Sequence, residues 1–537
     1  MTISFSLDDL KQSLPGAADL SGLSGAELAE AVRRMLGKLG DGADVKIDGS
    51  VVTLDFGEIS EQRLLEAGKI RDKADKRAAK GELSKAASSY RRVLELDPSN
   101  QSARRELAMV LMESGKNEEA ADMLLDALRM DPRDPKALVI LGNHYARQED
   151  QREVAISLIR RACEVAPDDA VAHNSLGALL LEFNQPQEAV AGFNEALRLD
   201  PTLANAWYGR SVAEIGLQQW TAARDTLQSM FALGSHTDRR QQQMLSEARD
   251  SFRRVTNIIG NDRAPESLKV AEELAARLGS FSGNPVTVRE TTLGVTDSSR
   301  SHAAWETGKD HHLIELDENL PAEMVKHHLV CRECSRLQLA TEARKAGDNR
   351  VFSIPPGCLA EIEKDLMPEI RRVAARKGFD GAKLTEVATG LAESWIEQLH
   401  FISVDIGIER RLAEIPELKE AQFCSLLLQV HAATDTCLNS PNRGIIPPKL
   451  NALRDTLNAA MALLLDRISG GATDYASLFS KAGVLPLARR IESMAYEHQG
   501  SPGSERDMID QLAELMGVRE WYQWYNAPSE ADNNSQK

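Results

Sequence analysis

The chain has 537 residues, 42% hydrophobic and 27% charged, the balance of a folded protein of two to four domains rather than a disordered one. Its net charge is −17 with no long basic block, which argues against non-specific binding to nucleic-acid phosphates and against adhesion to anionic membranes. Six cysteines (Cys163, Cys331, Cys334, Cys358, Cys424 and Cys437) are scattered too widely for a disulfide framework and predict reduced thiols. The amino terminus has no basic start followed by an apolar stretch, and no apolar run reaches the roughly 18 residues a membrane span needs. The expectation is a cytoplasmic protein with no membrane segment.

Residues 1–60 predict a small αββ module. GAELAEAVRRMLGKL is an amphipathic helix, and GADVKIDGSVVTLDFGEI carries two alternating runs about Asp48-Gly49, the pattern of a β-hairpin with a tight turn. Such a module reads as an interaction or capping element.

Residues 61–236 are organised by a repeat. LELDP, LRMDP, CEVAP and LRLDP place Pro98, Pro132, Pro167 and Pro201 at spacings of 34, 35 and 34 residues. Ala86, Ala120, Ala155 and Ala189 keep the same rhythm. Each unit holds two amphipathic stretches, such as ALVILGNHYARQ and REVAISLIRRACEV, whose apolar stripes are buried only when neighbouring units stack. Gly142, Gly177 and Gly209 fall where paired helices should approach closely, and proline closes each unit. This period, with its Leu-Gly-x-x-Tyr, Ala and Asp-Pro positions, resembles the tetratricopeptide repeat. About five units are expected, near 66–99, 100–133, 134–168, 169–202 and 203–236, the first and last being less regular. The resemblance implies an α-solenoid that binds a protein or peptide partner in the groove lined by the first helix of each unit. Projection onto that groove gives Arg105, Met109, Val139, Asn143, Arg147, Asn174, Glu182 and Arg210. The Lys/Asn set with which chaperone-binding members of the family grip a terminal carboxylate is not recognisable here.

Residues 237–284 predict two helices capping the solenoid, and a boundary follows near 283, where SFSGNPVTVRET turns from helical to strand-like spacing. Residues 285–527 predict a mostly helical α+β domain. A strand (PVTVRETT), a polar loop and a second strand (HHLIELDENL) lead into a long helix whose centre reads Arg332, Glu333, Cys334, Ser335, Arg336. The order resembles a zincin-type peptidase of the H-E-x-x-H class, whose two histidines four residues apart hold zinc while the intervening glutamate acts as general base. That resemblance, over about 285–430, implies that Glu333 keeps the base position and that Asp405 or Glu409 keeps the third-ligand position. Arginine stands at both histidine positions.

At 100° per residue, Arg332, Glu333 and Arg336 share the inward side of the helix with Val325, Leu329, Ala340 and Ala343. A guanidinium has no lone pair for a metal, so the arginines are expected to pair with Glu409, Asp405 or Glu333 and fill the former metal cavity. A rival grouping of His327, Cys331 and Cys334 lies at i, i+4 and i+7 on the opposite face, but that face also carries Gln338, Thr341, Glu342 and Lys345. The thiols are therefore expected on a polar, exposed or half-exposed surface. Cys424 and His431 lie about 10 Å apart by helical rise, too far for a nucleophile–base pair. The closing WYQWYN is expected as a terminal helix locked into the core or a docking patch, and 528–537 as a disordered tail.

The sequence thus reads as a mainly α protein and a cytoplasmic interaction scaffold, with the solenoid groove taking a protein partner and an inactive peptidase-like domain as second module. No cofactor is called for. The competing reading is a metalloenzyme using an unorthodox site drawn from His327, His328, Cys331, Cys334, Glu333 and Glu409.

Overall fold

The computed structural model describes residues 2–526 apart from 16, 18–19, 21–22, 24, 37–43, 234–238, 294–297, 379, 472 and 499–503. The expected tail, 528–537, lies outside the described residues. The chain is mainly helical and forms two compact units, 1–219 and 220–537. The division falls ahead of the junctions expected near 236 and 284.

The first unit opens with β1 (Thr2–Ser6), α1 (Leu7–Ser13), α2 (Gly25–Leu36), β2 (Asp44–Asp48) and β3 (Val51–Asp55). The hairpin of β2 and β3 turns at Gly49, whose φ of +59° suits glycine. β1, which the sequence reading did not include, pairs antiparallel with the other edge of β3, so the module is βααββ with sheet order β1-β3-β2. Val52 and Leu54 alternate inward on β3 and are fully buried. The module does not stand apart. Leu7, Leu10 and Leu14 share one apolar core with Leu124, Leu128 and Leu158 of the solenoid.

The solenoid follows as helix pairs α3 (Glu61–Ala79) and α4 (Leu83–Leu96), α5 (Gln101–Glu113) and α6 (Asn117–Met130), α7 (Pro135–Tyr145) and α8 (Arg152–Val165), α9 (Ala170–Glu182) and α10 (Pro186–Leu199), and then α11 (Ala204–Gly216). The Asp-Pro rhythm explains the joints. Proline stops each second helix, and two residues later Asn100, Asp134 or Asp169 accepts backbone N–H groups at the start of the next first helix. The glycines lie where helices touch. A Cβ on Gly142 would sit 2.5 Å from Ile159 Cγ1, and Cβ atoms on Gly177 and Gly209 would meet the Phe193 ring at 2.9 and 2.4 Å. The turn after the first helix needs a left-handed residue, supplied by Gly81 and Gly115 in two units and by Asn184 and Gln218 in two others.

The solenoid has two faces. Successive first helices touch one another (α5 with α7, α7 with α9, α9 with α11), whereas α1 packs on the second helices α6 and α8. There the Ser13 hydroxyl donates to the Pro132 carbonyl and Arg161 pairs with Asp9.

The second unit runs α12 (Trp220–Phe231), α13 (Arg239–Asn261), α14 (Ala264–Ser282), β4 (Val286–Thr291), β5 (Ser299–His302), α15 (Ala304–Thr307), β6 (His312–Asp317), α16 (Glu323–Lys345), β7 (Arg350–Ser353), α17 (Pro356–Lys377), α18 (Gly381–Leu412), α19 (Lys419–Leu438), α20 (Pro448–Ile468), α21 (Leu485–Glu497), α22 (Ser504–Met516) and β8 (Gln523–Asn526). β4 and β6 are the two expected strands, paired parallel. β5 lies in the expected polar loop and closes the other edge of β6 in antiparallel register, giving the order β4-β6-β5. α16 is enclosed by α14, α18, α19 and this sheet. The expected terminal aromatic helix is instead the strand β8, paired with β7. Trp521 and Tyr522 are buried just before it, while Tyr525 within it is exposed.

Candidate functional site

On the solenoid, the repeat period sets residues of the first helices in rows. Arg105, Val139, Asn174 and Tyr208 recur at 34, 35 and 34 residues, as do Met109, Asn143, Ala178 and Val212. A third row of Met112, Ala146, Leu181 and Ile215 is half-buried throughout. Met109 is 48% exposed and Val171, at the start of α9, 57% exposed. Val139 is buried, and Asn143, Arg147 and Glu182 are exposed.

Two of the three arginines expected in the groove, Arg105 and Arg210, are already engaged. Arg105 meets Asp134, the 5% exposed cap of α7, at 2.5 Å. Arg210 lies off both rows; its Nε donates to the buried Glu214 at 2.8 Å and its guanidinium stacks over Trp207. The amide oxygen of Asn174 is buried with no hydrogen-bond partner among the described residues. Tyr208 and Val212, which continue the rows onto α11, were not among the liners read from the sequence. Extending the 34-residue register by one further unit finds them.

In the second unit, the polar centre of α16 faces inward as its helical phase predicts, and the network it enters can be followed atom by atom. On β5, Ser299 and Ser301 pair with Leu316 and Ile314 and so point to the same side of the sheet. Their hydroxyls donate to Glu333 Oε1 and Oε2, each at 2.7 Å. Arg336 donates through Nη1 to both oxygens of Glu333 at 2.8 and 3.0 Å, and its Nε and Nη2 clasp Asp405 at 2.7 and 2.5 Å. The outer face of that guanidinium covers the Phe401 ring at 4.8 Å. Arg332 donates to Ser299 Oγ at 3.0 Å and to Gln429 Oε1 at 3.3 Å, with Glu333 and Asp405 each 3.9 Å away.

Glu409 does not join an arginine. It accepts from Gln422 Nε2 at 2.8 Å and lies 2.9 Å from His328 Nε2, and all three side chains are fully buried. His328 thus takes the partner expected for the arginines, because it lies one turn ahead of Arg332 on the same inward side.

The charges have physical consequences. Burial acts to raise the Glu333 carboxyl, but Arg336, Arg332 and the two serine hydroxyls outweigh it and hold it below the ordinary glutamate value. Glu409 is likewise lowered, since His328 outweighs the burial. Arg336 is driven further into its charged form, Asp405 and Glu333 overcoming the burial. His400 is pushed down to about 4 by burial and by the nearby Arg336. A general base needs a carboxylate free to receive a proton from a water, and both Glu333 oxygens are occupied by donors.

The opposite side of α16 departs from expectation. Cys331 and Cys334 are buried, packed in a core with Leu278, Leu329 and Leu418. They are not on a polar surface because α14 and α19 cover that side. Burial raises both thiols, Cys334 to about 12, so the thiolate that would bind a metal is disfavoured. His327 is turned to α14, its Nδ1 3.0 Å from Ser267 Oγ. Among the described residues no three His, Cys, Asp or Glu side chains are grouped to hold a metal ion. The zinc implied by the peptidase resemblance does not fit these residues: two guanidinium groups stand where lone pairs are required. Among the described residues no helix is long and apolar enough to cross a membrane.

Comparison with known proteins bears on the solenoid. Residues 77–142 and 141–204 match the tetratricopeptide-repeat family. The protein O-mannosyl-transferase TMTC3 of Homo sapiens is 33% identical over 93 residues, which are 17% of this chain and 10% of that protein. The peroxisomal targeting signal receptor of Kluyveromyces lactis is 31% identical over 101 residues, 19% of this chain and 18% of the receptor. The chain therefore spans only a small part of these relatives. Among solved structures, Pseudomonas aeruginosa PilF is 21% identical and covers 36% of this chain and 91% of its own, with a TM-score of 0.32. YrrB, described as a TPR protein with an unusual peptide-binding site, is 23% identical over 34% of this chain and 90% of its own, with a TM-score of 0.27. The repeat period, the joints and the two family matches agree that residues 77–204 are tetratricopeptide repeats.

Proposed function

We propose that the chain is an interaction scaffold of the cytoplasm, in which the first-helix face of the repeats recruits a polypeptide partner. The observation that carries this reading is the allocation of the two solenoid faces. The amino-terminal module is spent on second helices, while the first-helix face presents Met109, Asn143 and Val171 to solvent. Peptide binding by repeats of this kind supports it, as does the set of six free cysteines, which suits a reducing compartment.

In the same reading the second unit is a peptidase-like architecture turned into a non-hydrolytic module. Arg332 and Arg336 take the metal's place as fixed positive charges between Glu333 and Asp405. The support is a strand–helix arrangement that brings a glutamate, two inward cation positions and an acidic partner helix together, with no metal-binding lone pair at either cation position.

The test is a photo-crosslinking amino acid placed at 143 on the first-helix face or at 119 on α6. Cross-links to a polypeptide from 143 and not from 119, reproduced with the purified partner, are expected. Equal labelling from both positions, or none from 143, would overturn the reading.

A further inference from the structure

We propose that the cleft between the end of α17, the loop 441–448 and the start of α20 binds a small organic phosphomonoester. Arg376 and Lys377 hold the phosphate, and the apolar body lies against Val373, Ile446, Pro448 and Ala452. The proposal stands on the second unit alone and is independent of what the repeats bind.

Charge is the first argument. Residues 371–377 read RRVAARK, four cations in seven residues with no acid, in a chain whose net charge is −17. All four cations are exposed. Basic residues in the last turn of a helix offset its dipole, which accounts for Arg376 and Lys377 at the end of α17 but not for what faces them. What faces them is a cleft of about 470 Å³, within the range of small-molecule sites. Arg376 lines it and donates through Nη2 to the Gly444 carbonyl at 3.1 Å. Lys377 reaches the same loop, its Nζ standing 3.9 Å from where a Cβ on Gly444 would be. Among the described residues neither cation has a carboxylate within 4 Å.

The neighbouring acids are already engaged. On α17, Asp365 pairs with Lys449 Nζ and Glu369 accepts from the Lys449 backbone N–H. In the cleft wall, Asp455 is clasped by both Nη atoms of Arg443 and also accepts from Arg454. The unmatched charges at the cleft are therefore Arg376 and Lys377, both positive. A phosphomonoester carries about two negative charges near pH 7 and matches them, whereas a carboxylate matches only one. Arg376 keeps free N–H donors after its single bond to Gly444, and Lys377 offers three.

The second argument is that the cleft is preformed and has an apolar wall. Asn451 Nδ2 donates to the carbonyls of Arg443 and Ile446 at 3.0 and 3.1 Å, and its Oδ1 accepts from Arg454 at 3.0 Å. The loop is thus pinned to α20, while Arg376 ties it to α17. A wall held in place before binding spares the ligand the cost of ordering it. Ile446 on that wall is half-buried, and Pro448 and Ala452 are exposed. An inorganic ion would leave this surface bare, and an organic body would cover it.

The experiment is isothermal titration calorimetry of the full chain with 1-naphthyl phosphate at physiological salt and pH 7.5. One site with a Kd below about 1 mM is expected. 1-Naphthol, which lacks the charge, and inorganic phosphate, which lacks the apolar body, should each bind at least about tenfold more weakly. Arg376→Gln and Lys377→Gln should each weaken 1-naphthyl phosphate by about fivefold or more, the loss of one charge-assisted contact. Ala452→Glu, on the apolar wall, should weaken it as much. Arg371→Gln removes a charge from the same helix about 140° round from Arg376 and should change the Kd by less than about twofold, since salt screens a charge outside the cleft. No binding up to about 1 mM, inorganic phosphate or 1-naphthol binding as tightly as the ester, or Arg371→Gln weakening it as much as Arg376→Gln would each overturn the proposal.

Discussion

Asp405→Ala is the sharpest perturbation of the network on α16. Asp405 is buried and receives two parallel hydrogen bonds from Arg336, whose side chain is only 16% exposed. Breaking a buried pair by removing one partner costs about 3–5 kcal/mol, because the remaining charge stays desolvated. Arg336 keeps Glu333 as a second carboxylate, so the lower end, about 3 kcal/mol, is expected. For a unit of this size that corresponds to a fall in melting temperature of about 4–5 °C, read by calorimetry or by the ellipticity transition. The pH dependence gives an independent check. Glu333 and Glu409 both titrate below their ordinary value in the folded state. Their contribution is fully present above about pH 4.3, the unfolded value, and is lost as pH falls through the lower folded values. Glu333→Gln, which lacks one of these carboxyls, should therefore lose less stability than the parent as the pH falls below about 4.3. An Asp405→Ala variant within about 0.5 kcal/mol of the parent at pH 7 would refute the claim that Arg336 is a buried, paired charge.

Three further outcomes follow from other sites. Gln218→Gly should stabilise the first unit by about 0.5–1 kcal/mol, measured by urea denaturation, because Gln218 holds a left-handed φ of +58° at the turn position where Gly81 and Gly115 stand in earlier units. Asp466 is raised to about 7, mainly by burial, the Thr473 hydroxyl opposing this and Asp474 adding to it. A carboxyl raised in the folded state contributes stability that is present below the unfolded value of about 3.9 and lost as pH rises toward 7. Asp466→Asn should therefore gain on the parent in melting temperature between pH 5 and pH 8, and a constant difference would contradict the assignment. Finally, the double variant R332H/R336H puts two imidazoles four residues apart on the buried face opposite Asp405 and Glu409, and should bind about one equivalent of zinc in competition with a chromophoric chelator. A folded double variant that takes up no zinc would count against the peptidase-like architecture.

The sequence made the repeats legible because their signal is one of long-range identity: the same residue types every 34 or 35 positions, wherever the helices end. The inward phase of Arg332, Glu333 and Arg336 was legible for a related reason, since helical geometry alone fixes which residues share a face. The elements that escaped are those whose sides are set by tertiary neighbours. β1 is five residues with serine at two positions, and its partner strand lies some fifty residues away. β5 reads Ser-Arg-Ser-His and carries no apolar alternation, because its inward side chains end on the Glu333 carboxylate rather than on a hydrophobic core. Cys331 and Cys334 looked solvent-facing because Gln338, Thr341 and Glu342 share their side of the helix. That test fails where other helices cover that side, as α14 and α19 do here, and polar residues are retained by finding partners: Thr341 donates to the Leu337 carbonyl and Gln338 donates to Glu342.

α16 therefore poses the question of why a helix at the centre of a fold keeps two arginines and a glutamate. Replacing a buried ionic cluster with apolar residues of similar volume is often neutral or stabilising, so stability alone does not explain its retention. The geometry supplies a different reason. Each charge is held by partners from another element: Ser299 and Ser301 from β5, Asp405 from α18 and Gln429 from α19. Apolar packing tolerates sliding of one helix along another, whereas a bidentate Arg336–Asp405 contact tolerates almost none, because a displacement of one residue separates the fork from its carboxylate. The cluster thus fixes the register of α16 against three neighbours at once, which is the task a shared metal ion performs when helices converge on it. On this argument an apolar replacement of Arg336 and Asp405 together, such as R336M/D405L, should preserve the melting temperature while broadening the amide spectrum of α16 and β5. Asp405→Ala alone should lower the melting temperature, and that contrast separates a role in positioning from a role in stability.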